Sequence, residues 1–132
     1  MSTLLLVMAL SGVPGHAPAG CSSEVLTGGR LDQKGSLWVG SIEYPPGWEW
    51  PAVYADGVMT VTKKDAPPSH VRCRFIPFDR GRMEVRSDQC YPGIWKQEGK
   101  HIVVSLRVEG NTRPVDFKPS RSQQVITLRC VK

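Results

Sequence analysis

WPAVYADGVMTVTKK, running from Trp50 to Lys64, decides the fold. Asp56-Gly57 separates two short runs rich in β-branched and aromatic residues. An Asp-Gly pair in that setting is a strong hairpin signal, because a two-residue turn matching the twist of its strands needs positive φ at its centre. The hairpin predicts strands over Trp50–Ala55 and Val58–Lys64.

The same grammar extends in both directions. Upstream, Ser36–Tyr44 (SLWVGSIEY) reads as a strand stopped by Pro45-Pro46-Gly47. Downstream, His70–Phe78 alternates, with Val71, Cys73 and Phe75 on one side and Arg72 and Arg74 on the other. Asp79-Arg80-Gly81-Arg82 turns it into Met83–Arg86, where Met83 and Val85 face in and Glu84 and Arg86 face out. Gly93–Lys96, His101–Val108, Arg113–Phe117 and Gln124–Val131 follow, separated by Glu98-Gly99, Glu109-Gly110-Asn111 and Pro119-Ser120. Helical periodicity is almost absent. The expectation is an all-β antiparallel meander of eight or nine short strands, closed as a small barrel or folded as a two-sheet sandwich and stabilised by disulfides. An immunoglobulin-type sandwich is disfavoured, because Asp88 stands two residues before Cys90 where that fold wants Tyr.

The N-terminal end predicts a signal peptide over residues 1–19 and a single β-domain over 20–132. Leu4–Leu10 is apolar but too short to span a bilayer as a helix, and Ala17-Pro18-Ala19 has the A-x-A form of a cleavage site. Met1-Ser2-Thr3 lacks the usual positive charge. Gly20–Asp32 reads as an irregular arm or an extra edge strand. Export places the protein in a secreted or periplasmic setting, where cysteines are disulfide candidates. Among Cys21, Cys73, Cys90 and Cys130, the expected pairs are Cys73–Cys90, flanking a hairpin, and Cys21–Cys130, tying the two ends. A lipid anchor at Cys21 would strand one thiol, which counts against it. No later stretch has the length of a transmembrane segment.

Seventeen Lys and Arg oppose twelve Asp and Glu, giving a net charge of +5. That balance favours acidic partners. Two constellations could use it. Tyr44-Pro45-Pro46-Gly47-Trp48-Glu49-Trp50-Pro51 concentrates aromatics in a loop stiffened by proline, the kind of rigid Trp pair that anchors protein partners. Trp50 is expected to pack as core and Trp48 to lie on the surface. Arg72, Arg74, Arg82 and Arg86, with Arg80 at the tip, are expected to project from one hairpin face, where guanidinium forks suit carboxylates. Nucleic acid is a poorer fit, because no exposed aromatics interleave with these arginines. His70, His101, Glu84 and Arg86 are residue types that can cleave a phosphodiester, but their spacing is no motif. No metal-ligand spacing, cofactor motif or nucleophile elbow is present.

The expected function is therefore binding rather than catalysis. The leading version is an exported protein-binding or inhibitor module, contacting an acidic protein surface or cleft through Tyr44, Trp48, Trp50, Arg72, Arg74, Arg82 and Arg86. The alternatives are a barrel carrying a small apolar ligand, and a secreted nuclease. A large apolar cavity would favour the carrier, and a filled core with protruding Trp and Arg the protein-binding module.

Overall fold

The computed structural model describes residues 31–32, 34–45 and 47–131. The expected signal peptide, and the proposed arm except for its last two residues, lie outside them. Among the described residues nine strands form: β1 (Leu37–Glu43), β2 (Glu49–Ala55), β3 (Val58–Val61), β4 (Ser69–Arg72), β5 (Arg74–Phe78), β6 (Arg82–Arg86), β7 (Cys90–Glu98), β8 (His101–Arg107) and β9 (Gln123–Cys130). All belong to one antiparallel sheet ordered β4-β3-β2-β1-β9-β8-β7-β6-β5. The Asp56-Gly57 turn forms as expected, with φ of 52° and 77°.

The sheet cannot be flat. Its two outermost strands, β4 and β5, are consecutive in the chain, with Cys73 alone between them. Laid flat, nine strands would put those edges about 38 Å apart, at about 4.8 Å per spacing. One residue spans only about 3.5 Å. The sheet therefore curls into a partly closed barrel with its seam at Cys73, rather than splitting into a two-sheet sandwich.

The seam explains one departure from the sequence expectation. His70–Phe78 is not a single strand. The Cys73 N–H donates to the Gly57 carbonyl (3.0 Å), and its own carbonyl accepts from the Tyr54 hydroxyl (2.8 Å). The chain thus leaves its ladder with β3 at Cys73 and resumes in a ladder with β6. Asp32 stitches the break: one carboxylate oxygen accepts the Phe75 N–H at 2.7 Å, and the other takes the Tyr54 hydroxyl. The Ser87 hydroxyl donates to the Arg72 carbonyl across the seam (2.9 Å).

Arg113–Phe117 is not a strand either. Pro114 has no N–H to give a ladder, and the Arg113 guanidinium turns inward to donate to the carbonyls of Met83 (2.7 Å) and Gly93 (2.8 Å).

The Cys73–Cys90 disulfide is not formed, and both are free thiols. β6 stands between β5 and β7. Two strand spacings, about 10 Å, exceed the roughly 7 Å between Cα atoms that a disulfide can bridge. Cys73 is buried in the interior while Cys90 is exposed. The other expected pair involves Cys21, outside the described residues.

Inward-facing residues alternate along every long strand. Trp38, Tyr54, Met83, Ile102 and Leu128 fill one end of the interior, plugged by Leu31. The Trp38 indole N–H donates to the Ser36 hydroxyl (3.1 Å). At the β1–β9 junction the backbones approach so closely that a Cβ on Gly40 would sit 1.7 Å from the Thr127 carbonyl oxygen.

Candidate ligand-binding cavity

At the opposite end of the barrel the inward side chains do not fill the interior. Strand register brings together the pairs Ile42–Trp50, Ile42–Ile126, Met59–Val71, Val61–Ser69 and Val85–Tyr91. They enclose a cavity of about 310 Å³, whose walls also include Cys73, Phe75, Leu106 and Val108. Val71 faces this space and is still 42 % exposed, which marks the opening. The opening lies on the seam side, between β4 and the turn that joins β6 to β7.

The walls are mostly apolar, and among the described residues they include the buried Cys73 thiol. The remaining polar lining is Lys63, Ser69, Ser87, Asp88 and Gln124. Lys63 follows Val61 by two residues, so it continues the inward face of β3 past the strand end. The Thr62 N–H still donates to the Pro51 carbonyl (3.0 Å), which holds this segment against β2. The Lys63 ammonium lies 5.0 Å from the centre of the Trp50 indole, a cation–π arrangement. Elsewhere in the lining, the Asp88 carboxylate accepts the Tyr91 hydroxyl at 2.8 Å. That bond is the main reason the Tyr91 phenol titrates above its usual range. Deeper in, burial, reinforced by the nearby Asp32 carboxylate, pushes the Cys73 thiol up to about 12. The thiol is therefore protonated and unreactive at neutral pH.

The residues singled out from sequence divide. Trp48 is 59 % exposed, while Trp50 packs against the core and lines the cavity. Their rings remain neighbours at 6.2 Å. A tight turn closed by the Trp48 N–H on the Pro45 carbonyl (3.0 Å) and the Tyr44 N–H on the Trp48 carbonyl (3.0 Å) holds Trp48 outward. Tyr44 is half-buried at the base of that turn.

Arg74, Arg82 and Arg86 share the exposed face of the β5–β6 hairpin, and Arg72 departs from it. Arg72 lies on β4, opposite Val58 of β3, rather than on the β5–β6 hairpin. Arg74 and Arg86 are direct cross-strand partners. Arg86 pairs with Glu84 (3.1 Å) and Arg82 with Asp79 (2.6 Å). Arg82 and Arg113 each lie 5.1 Å from the Phe78 ring centre. Arg80 sits in the turn with φ of 59°.

The phosphodiester-cleaving set is dispersed. His70 bonds Thr60 beside it on the β3–β4 ladder (3.1 Å), His101 opens β8, and Glu84 lies on β6. These strands are not neighbours in the sheet. Among the described residues no group of three or more His, Cys, Asp or Glu could hold a metal ion, and no helix is long and apolar enough to cross a membrane.

Sequence reasoning missed Lys63, Asp88 and Tyr91. Lys63 was detectable: it is in phase with Met59 and Val61, a charged residue on an inward face. The chain matches no protein-family model, and it is similar to no curated protein and to no solved structure.

Proposed function

We propose that this protein binds a small, largely apolar ligand in the open end of its barrel. One observation carries the proposal: a cavity of about 310 Å³ with apolar walls and its charged groups at the opening. Protein interiors pack to a density of about 0.74 and leave few voids larger than a water molecule. Ligand sites are the usual exception, being concave, mostly apolar and supplied with a few polar groups. A water occupies about 30 Å³ of liquid, so a ligand of about ten non-hydrogen atoms suits the space.

Naphthalene, neutral and of about that size, provides the test. Trp50 lines the cavity, so binding is read as a change in tryptophan fluorescence. Val71→Trp places bulk at a position already 42 % exposed, which spares the core. Saturable binding to the wild type, lost in Val71→Trp at an unchanged melting temperature, is the expected result. Absence of saturable binding to the wild type refutes the proposal.

A second reading is favoured by Trp48, whose 59 % exposure on an ordered turn suits a contact with a protein partner. Its acidic partner and the export of the chain rest on the arginines and on the Leu4–Leu10 and Ala17-Pro18-Ala19 segments. Alanine substitution of Trp48, with folding intact, would weaken such a complex by about 2 kcal/mol or more.

A further inference from the structure

We infer that the ligand is a monocarboxylate, an apolar body ending in one anionic group held at the opening by Lys63 and Ser69; the inference rests on the cavity being a binding site. Among the described residues, Lys63 is the one cationic side chain lining the cavity. Its ammonium has three N–H donors. It has the Trp50 ring beneath it and no carboxylate or carbonyl partner among the described residues. The aromatic face steadies the side chain without using those donors.

Ser69 adds a second donor to the lining. It is the cross-strand partner of Val61, so it flanks the segment that carries Lys63. It too lines the cavity, and its hydroxyl bonds no acceptor among the described residues. An ammonium and a hydroxyl that line the same largely apolar space can each donate to an oxygen of a carboxylate, whose charge strengthens each hydrogen bond.

Asp88 sets the limit on ligand charge. It belongs to the same lining, on the turn after β6, and accepts the Tyr91 hydroxyl. A second negative charge on the ligand would share the cavity with this carboxylate and be repelled by it. The rim therefore accepts one anionic group on the β3–β4 side and disfavours a dicarboxylate or a phosphate dianion. The apolar walls formed by Ile42, Val61, Phe75, Leu106 and Ile126 take the remainder of the molecule.

Octanoate and octanol, which share a chain and differ in the head group, separate the head-group inference from the cavity proposal. Each is titrated against bound naphthalene at low ionic strength, in the wild type, Lys63→Met and Lys63→Arg. Met keeps the stem packed on Trp50 and removes the charge. Octanoate is expected to bind the wild type about tenfold more tightly than octanol, the difference a charge-assisted hydrogen bond supplies. The preference should vanish in Lys63→Met and persist in Lys63→Arg. Equal affinities in the wild type, or a preference that survives Lys63→Met, overturns the head-group inference and leaves the cavity proposal standing. If naphthalene, octanoate and octanol all fail to bind, both fall.

Discussion

Tyr54 and Asp32 meet at the point where the barrel changes partners. The Tyr54 hydroxyl lies between the Asp32 carboxylate and the Cys73 carbonyl, and the other Asp32 oxygen accepts the Phe75 N–H. One carboxylate and one phenol thus satisfy the backbone that β4 leaves unpaired and β5 has not yet paired. Buried groups left without such partners are costly. Burial, with the Asp32 bond and charge adding to it, pushes the Tyr54 phenol far above its ordinary range, so it stays a donor.

Tyr54→Phe is accordingly expected to cost about 1–3 kcal/mol, since it removes the one O–H donor that the Asp32 carboxylate and the Cys73 carbonyl share. Asp32→Ala should cost as much or more, because it also strands the Phe75 N–H. The two losses should not add, with a coupling of about 1 kcal/mol or more in a double-mutant cycle followed by urea unfolding. Strict additivity would mean that they act independently.

Cys73 and Cys90 should differ sharply toward a thiol reagent. Cys90 is exposed and Cys73 buried. At pH 8, Cys90 should react within minutes and Cys73 only upon unfolding, as mass spectrometry of the labelled peptides will show. The raised Cys73 pKa also sets a sign for stability. The folded state favours the neutral thiol, so its contribution is complete below the ordinary value of 9.0 and is lost as pH climbs toward about 12. Melting temperature should therefore fall more steeply across that window in the wild type than in Cys73→Ala.

Trp48 and Trp50 should separate on stability alone. Trp50→Ala removes a side chain packed against the core and is expected to cost about 2–4 kcal/mol. Trp48→Ala removes an exposed ring and should change stability by no more than about 0.5 kcal/mol. Thermal melts of the two variants check this; equal losses would show that Trp48 packs as part of the fold.

Gly40→Ala tests the β1–β9 junction. Its methyl group would stand 1.7 Å from a backbone oxygen on the neighbouring strand, so the two strands would have to separate. A loss of about 3 kcal/mol or more, or failure to fold, is expected from overpacking against backbone. A variant with wild-type stability would mean that β1 and β9 are not held together at this point.

The sequence by itself determined the secondary structure class, the meander and the turns. Alternation at Val71, Phe75, Met83 and Val85 assigns their faces, because side-chain direction along a strand has a period of two residues. Asp56-Gly57 announces its hairpin through backbone conformation, which is local. The contrast between Trp48 and Trp50 was legible in the same way, from the glycine before one and the strand after the other. The change of partner at Cys73 was not legible, because Val71, Cys73 and Phe75 keep one unbroken alternation while the strand moves from β3 to β6. Proximity in sequence also misled for Cys73 and Cys90, since it does not count the strand that intervenes. The cavity lay furthest from view. Whether a space stays open depends on how Trp50, Val61, Leu106 and Ile126 meet across a curled sheet. Lys63 and Ser69 come to line one cavity only through the folding of β3 and β4 against each other, which tertiary packing decides.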